Sequence, residues 1–417
     1  MTSVELLAVV PDPGLWLDAD PTTILARLFQ RHGVPVRGRR LVALDEDAAE
    51  HALRQAVEGG GLVICLGAGG GAERARQALA RLTGSRLVLS EGVLEAVAAS
   101  YAQRGHAMPR RAEALALIPQ GATLLAPPGG GEPGLLAEVG GTLVAVLPGD
   151  AGVASTLVEA QLLPRLLHRA VEPVSRLHTL KLVGLDGAEV ETRLAGALRG
   201  QADTGARVVD VDGEVWVRLE LRGPTVAAAE RRFAELAPVL RAAFGAAWYG
   251  QDEDSLPVVV GRLLKTRRLT LAVAESCTGG LIGHRLTDVA GSSAYFERSL
   301  VVYSNPAKQT LLGVPAALLA RFGAVSAECA EAMARGVRAQ AETDLGLSVT
   351  GIAGPEGGTP TKPVGTVFIG LADLRSVTVE RHRFDRDREG NKALAALWGL
   401  ELVRRYCLEP TRPVAAR

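Results

Sequence analysis

Two apolar runs, Leu62–Leu66 (LVICL) and Leu269–Ala274 (LTLAVA), each lead into a glycine-rich turn and then a helical pattern. This strand–turn–helix signature constrains the fold more than any other feature of the chain. Short strands without an exposed polar face suit a parallel sheet covered by helices on both sides. In such open sheets ligands bind beyond the carboxyl ends of the strands, where these turns lie. Other segments agree with the alternation. Leu6–Val10 and Thr142–Leu147 read as strands, and Ile24–Gln30 and Ala72–Leu82 as helices.

The chain has 417 residues, which corresponds to about three domains. Residues 173–250 have a different rhythm. A strand at His178–Val183 precedes a helix at Gly187–Leu198, strand patterning surrounds an Asp212-Gly213 turn, and Val226–Phe244 forms a long helix. The polar stretch Tyr249–Ser255 marks the next boundary, with Asp254 or Ser255 able to cap a helix that has Pro257 in its first turn. The expected architecture is α/β: two three-layer α/β/α domains, 1–172 and 251–417, with a small α+β domain, 173–250, between them.

With 47% hydrophobic and 22% charged residues the composition is globular. Lys+Arg and Asp+Glu are both 46, and a zero balance argues against a chain that coats nucleic acid, so no direct nucleic-acid partner is expected. Four cysteines show neither CxxC nor zinc-finger spacing, and they are too few to staple a chain of this length. The N-terminus has no basic segment followed by an apolar one, and no apolar run reaches the ~18–20 residues of a membrane helix. A cytoplasmic protein without a membrane partner is expected. Lysine is scarce: Lys181, Lys265, Lys308, Lys362 and Lys392 are the whole set.

Four segments in the last domain carry the chemistry. Glu275–Gly280 (ESCTGG) places Ser276 and Thr278 at free helix N–H groups that suit an oxyanion or a phosphate, and Gly279 and Gly280 allow close approach of a substrate. The same residues also read as a simple helix cap. Val301–Gln309 (VVYSNPAKQ) brings Tyr303 and Lys308 past a strand end. A buried lysine there becomes a base for a serine, and an exposed one merely begins a helix. Val349–Thr366 is a long glycine- and proline-rich loop, either a pocket wall or a plain connection. In Phe384–Lys392, Arg386, Arg388 and Lys392 bracket a helix start that reads as a phosphate site or as a solvated turn.

Taken together, the motifs resemble the C-terminal domain of the CinA family (competence/damage-inducible protein), which also occurs alone as the PncC-type nicotinamide mononucleotide amidohydrolase. They are ESCTGG at 275–280, DVAGSSAYFERS at 288–299, YSNPAK at 303–308, GAVS at 323–326, TGIAGPEGG at 350–358 and KPVGTVFIGLA at 362–372. The family pattern F-x-G-D-R keeps Phe384, Asp387 and Arg388, with Arg386 in place of its glycine. The resemblance implies metal-free and cofactor-free hydrolysis of the carboxamide of nicotinamide mononucleotide to nicotinate mononucleotide and ammonia. It implies Ser276 as nucleophile with Lys308 as its base and Tyr303 beside it, and Thr278 as the second candidate nucleophile. Glu275, Gly279, Gly280, Thr350, Gly351, Ala353, Gly354 and Arg388 would bind substrate. A homo-oligomer, a dimer, is expected. The rival reading is a non-catalytic interaction protein in competence or the DNA-damage response, with a recombination or competence protein as partner.

The front of the chain resembles the MogA/MoaB-like molybdopterin-binding domain of full-length CinA, which is linked to ADP-ribose pyrophosphatase activity, but its motifs are degraded. In the family's T-G-G-L-G-P-T-x-D-D-x-T, aligned here with Leu66–Gln77, Arg74 and Ala75 replace both aspartates. Pro127–Gly134 and Leu147–Val153 also depart, and Val153 replaces a glutamate. Pyrophosphate hydrolysis relies on carboxylate-held metal, so loss of that activity is expected. Asp18 and Asp20 are the remaining candidate ligands.

Overall fold

The computed structural model describes residues 3–13, 20, 22–67, 70–103, 105–128, 132–168, 174–201 and 204–409. Packing divides the chain into two compact units: residues 1–178 with 201–205 and 219–237, and residues 179–200 with 206–218 and 238–417.

The front sheet is built from β1 (Val4–Val10), β2 (Val36–Ala43), β3 (Leu62–Gly67), β6 (Thr123–Leu125), β7 (Gly134–Val139) and β8 (Thr142–Pro148), in the order β2-β1-β3-β8-β7-β6. The first four in that order are parallel, and β7 and β6 are antiparallel. β4 (Leu87–Leu89) and β5 (Leu117–Pro119) form a separate antiparallel pair. The helices are α1 (Thr22–Arg31), α2 (Glu46–Glu58), α3 (Gly71–Thr83), α4 (Glu91–Gln103), α5 (Ala151–Leu157) and α6 (Leu163–His168). Alternate residues of the parallel strands enter two cores. Leu6, Ile64 and Leu147 pack with Leu25, Phe29, Leu157 and Leu166 on one face, and Leu7, Val63 and Val144 pack with Leu53 and Leu79 on the other.

β2 (VRGRRLVA) was not legible as a strand. It lies at the sheet edge, where its arginines reach water while Arg37 and Arg40 pair with the buried Glu5 carboxylate. A smaller sheet, ordered β10-β11-β9-β12, comprises β9 (Val174–Leu182), β10 (Thr204–Val211), β11 (Glu214–Gly223) and β12 (Trp248–Gln251), with α7 (Gly187–Ala197) and α8 (Val226–Phe244). The turn joining β10 to β11 has Asp212 at φ 50° and Gly213 at φ 89°, the primed geometry that Asp-Gly favours.

The last sheet is ordered β14-β13-β15-β16-β17, from β13 (Leu271–Glu275), β14 (Phe296–Val301), β15 (Leu345–Gly351), β16 (Thr366–Ala372) and β17 (Val377–Arg383). β14, β13 and β15 are parallel, and β16 and β17 are antiparallel. One face is covered by α9 (Leu256–Arg267), α10 (Leu281–Thr287) and α14 (Arg388–Leu408). The other is covered by α11 (Asn305–Leu312), α12 (Ala316–Phe322) and α13 (Ala327–Ala341). Both large sheets therefore have helices on both faces. Among the described residues no helix is long and apolar enough to cross a membrane.

Candidate active site

β13 is fully buried and ends at Glu275, and the chain then turns through Ser276–Gly280 into α10. Gly279 at φ 64° and Gly280 at φ 99° make that turn, a geometry that a side chain would strain. Glu275 is 0% exposed. Its carboxylate accepts hydrogen bonds from the Gly280, Ile282 and Gly283 amides at 3.0, 3.1 and 2.9 Å, and from the Ser299 hydroxyl at 2.8 Å. This corrects two expectations. Glu275 does not present itself to a substrate, because its oxygens are saturated by the turn. The Gly280 amide does not serve an anionic ligand, because Glu275 already occupies it, and the Gly279 amide donates to the Ser276 carbonyl at 3.2 Å. The carboxylate instead neutralises the positive end of α10 and fixes the backbone that carries Ser276.

Lys308 comes from α11, whose N-cap Ser304 accepts from the Ala307 amide at 3.2 Å, with Pro306 in the first turn. That cap aims the lysine inward, and Lys308 is only 1% exposed. Its Nζ lies 3.1 Å from Ser276 Oγ, 2.8 Å from the Val302 carbonyl and 3.2 Å from the Tyr303 carbonyl. Burial pushes the amine below the ordinary lysine range. The Cys329 and Cys277 thiols oppose that shift. A neutral amine has two N–H donors, which the two carbonyls take. Its lone pair then faces Ser276, whose hydroxyl can donate to it. Burial pushes the thiols themselves up, Cys277 to about 12 and Cys329 to about 11, so neither is a ready nucleophile. Thr278 is fully buried, and its hydroxyl has no partner among the described residues. The lysine therefore addresses Ser276 and not Thr278.

Tyr303 contributes to the lysine through its backbone only. Its side chain is 63% exposed, and its hydroxyl meets Arg388 Nη2 at 3.4 Å. Arg388 Nη1 also donates to the Gly354 carbonyl at 2.6 Å. Asn391, one turn along α14, donates to the Ala353 carbonyl at 3.0 Å and the Arg386 carbonyl at 2.8 Å. The residue types Arg, Lys and Asp attract attention in Phe384–Lys392, and the buried Asn391 was missed among them. Its signal was an amide side chain in the first turn of a helix otherwise written in charges. Thr350 turns its hydroxyl to the Ala324 carbonyl at 2.7 Å, so it braces the GAVS segment. At Gly351 a Cβ would stand 2.7 Å from the Thr366 carbonyl, and at Gly354, with φ 94°, it would meet Val364 at 2.6 Å. These four residues shape the loop by backbone and packing, and Ala353 and Gly354 are held in place by α14.

Among the described residues the front-domain turn places no serine–lysine pair at its helix. Ala75 is buried in the core, and Arg74 donates to Gln77 at 2.9 Å. Asp20 pairs with Arg39 and accepts from Thr22. Burial alone would raise its carboxyl, yet those bonds hold it below the usual range. Asp18, Ala68–Gly69 and residues 129–131 lie outside the described residues. Asp150 caps α5 through the Val153 amide at 2.8 Å. Among the described residues no group of three His, Cys, Asp or Glu side chains could hold a metal ion.

Residues 253–407 match the model of the CinA C-terminal domain, and residues 2–168 match a probable molybdopterin-binding domain. A CinA-like protein of Geobacter sulfurreducens is 39% identical over 399 residues, 94% of this chain and 95% of its own length. The chain belongs to the CinA family. A putative competence-damage inducible protein of Symbiobacterium thermophilum is 37% identical over 92% of this chain and 93% of its own length. A solved CinA superfamily protein from Klebsiella pneumoniae is 34% identical, covering 36% of this chain and 95% of its own, with a TM-score of 0.36. In CinA terms, the C-terminal domain holds the Ser276–Lys308 pair and the front is the molybdopterin-binding-like domain.

Proposed function

We propose that this CinA protein hydrolyses the carboxamide of nicotinamide mononucleotide, giving nicotinate mononucleotide and ammonia. The observation that carries the reading is the buried Lys308 amine, 3.1 Å from Ser276 Oγ and oriented by two backbone carbonyls. Ser276 Oγ attacks the carboxamide carbon as its proton passes to Lys308. Lys308 returns that proton to the departing nitrogen as the C–N bond breaks, and ammonia leaves. Water then attacks the acyl ester as Lys308 takes its proton, and Lys308 returns that proton to Ser276 Oγ as the C–O bond breaks. We assign to the developing oxyanion the Cys277 and Thr278 amides, which are turned toward the weakly accepting Cys277 sulfur. Arg388, at the exposed end of the site beside Tyr303, offers the charge for the substrate's phosphate.

The front domain has lost ADP-ribose hydrolysis in this reading, because Arg74, Ala75 and Val153 stand where the family places carboxylates. Incubating the full chain with nicotinamide mononucleotide and measuring ammonia tests the first assignment. Measuring AMP release from ADP-ribose with added divalent metal tests the second.

A further inference from the structure

The β10–β11 turn reaches α14 close to the loop that walls the site. A Cβ at Gly213 would stand 2.1 Å from Leu394 Cδ2 and 3.3 Å from Leu397 Cδ2, so the Leu394 side chain would have to shift. The negative charges of its neighbours Asp212 and Glu214 act on Arg285 of α10, the helix that follows Ser276. Arg285 is half-buried, and its Nη1 donates to the Ala393 carbonyl of α14 at 3.3 Å. Glu214 is itself fixed, accepting from Tyr249 Oη and Trp216 Nε1, each at 2.7 Å. Leu394 lies one turn beyond Asn391 on α14, and Asn391 and Arg388 clamp the Ala353 and Gly354 carbonyls.

We propose that the Asp212–Gly213 hairpin tip is a positioning element for the active site. Seated on Leu394 and acting by charge on Arg285, it fixes the first turns of α14 against α10. It thereby sets the Arg388 and Asn391 clamps on the loop over residues 352–355. The hairpin touches no reacting atom. Its contribution is to substrate affinity, through the alignment of Arg388 and that loop, more than to the Ser276–Lys308 step. Only the activity readout of the inference rests on the deamidase reading.

The experiment uses the full chain and four variants: Gly213→Ala, Leu394→Ala, the double variant, and Gly200→Ala. Gly200 also has positive φ, 84°, but a Cβ there meets nothing within 4 Å, so it carries the same backbone strain without the contact. The expected result is a KM for nicotinamide mononucleotide raised roughly three- to tenfold in each variant at 213 and 394, with kcat changed less than KM. The double variant should be no worse than the worse single, since Leu394→Ala removes the side chain that the new Cβ at 213 would meet. Gly200→Ala should stay within twofold of the parent. Amide exchange at residues 352–354 and 391–393 should quicken in the same three variants and not in Gly200→Ala. Values of KM within twofold and unchanged exchange in Gly213→Ala and Leu394→Ala would overturn the proposal, as would effects that simply add. If Gly213→Ala does not fold, Leu394→Ala and Asp212→Ala carry the same test. If the parent releases no ammonia, the deamidase reading fails, and amide exchange alone decides the positioning role.

Discussion

The junctions that follow β3 and β13 share the features that the described residues show. Each follows a fully buried parallel strand, and each ends on a glycine in left-handed geometry that starts a helix, Gly70 at φ 100° and Gly280 at φ 99°. The side chains differ. Glu275, Ser276, Cys277 and Thr278 occupy the second turn, while the first reads LGAGGG and its helix continues with Arg74 and Ala75. The backbone of a strand–turn–helix is thus cheap to keep, and what it does depends on a few side chains and on what a neighbouring turn brings to them. β14 delivers such a neighbour to the second turn, the Lys308 helix, and the first turn has no counterpart among the described residues.

The largest effect that sharpens this contrast is expected at the pair itself. Ser276→Ala and Lys308→Arg should each lower ammonia release by about 10²-fold or more, and the double variant should be no worse than either, because nucleophile and base act as a unit. Arginine keeps the charge and cannot deprotonate, so retained turnover in Lys308→Arg would break the comparison. A second, smaller effect is expected at Glu275→Gln. The amide brings one N–H group against donors that the carboxylate satisfied. Stability should fall by about 2 kcal/mol or more, and turnover by roughly tenfold as the Ser276 turn loosens. Thermal melting and ammonia release together check this, and an unchanged melt would show that the carboxylate is not what holds the turn. Tyr303→Phe should cost about threefold at most, since its exposed hydroxyl reaches only Arg388, and at 3.4 Å. The smallest effect belongs to the front domain: Arg74→Ala should leave ammonia release within about twofold, read in the same assay. AMP release from ADP-ribose by the parent chain would show that the first turn has kept a chemistry the comparison denies it.

Much of this was legible in the sequence, and the residues that were not share a cause. The buried parallel strands announced themselves because both their faces are apolar. β2 did not, because an edge strand can expose arginines, and only the fold shows Glu5 receiving two of them. Hydrophobic spacing is silent over the start of α14 at Arg388, because its first turns are polar and held by the Asp387 cap, and only the charged residues there mark a helix start. Residue type brought Ser276 and Lys308 together before any distance was known. It misjudged Glu275 and Tyr303, since a motif does not say which way a side chain points. Glu275 turns back into its own helix, and Tyr303 offers the lysine a carbonyl.

The pH dependence of ammonia release from nicotinamide mononucleotide, measured for the full chain and for Lys308→Arg, tests the central claim most directly. A base must be neutral to accept the Ser276 proton, so the rate is low while Lys308 is protonated and rises with pH through its pKa. Burial lowers that pKa, so the rise should end on a plateau below the ordinary lysine value of 10.5. Lys308→Arg should be nearly inactive at every pH and show no such rise. A pH-independent rate in the parent, or the same rise in Lys308→Arg, would contradict the account.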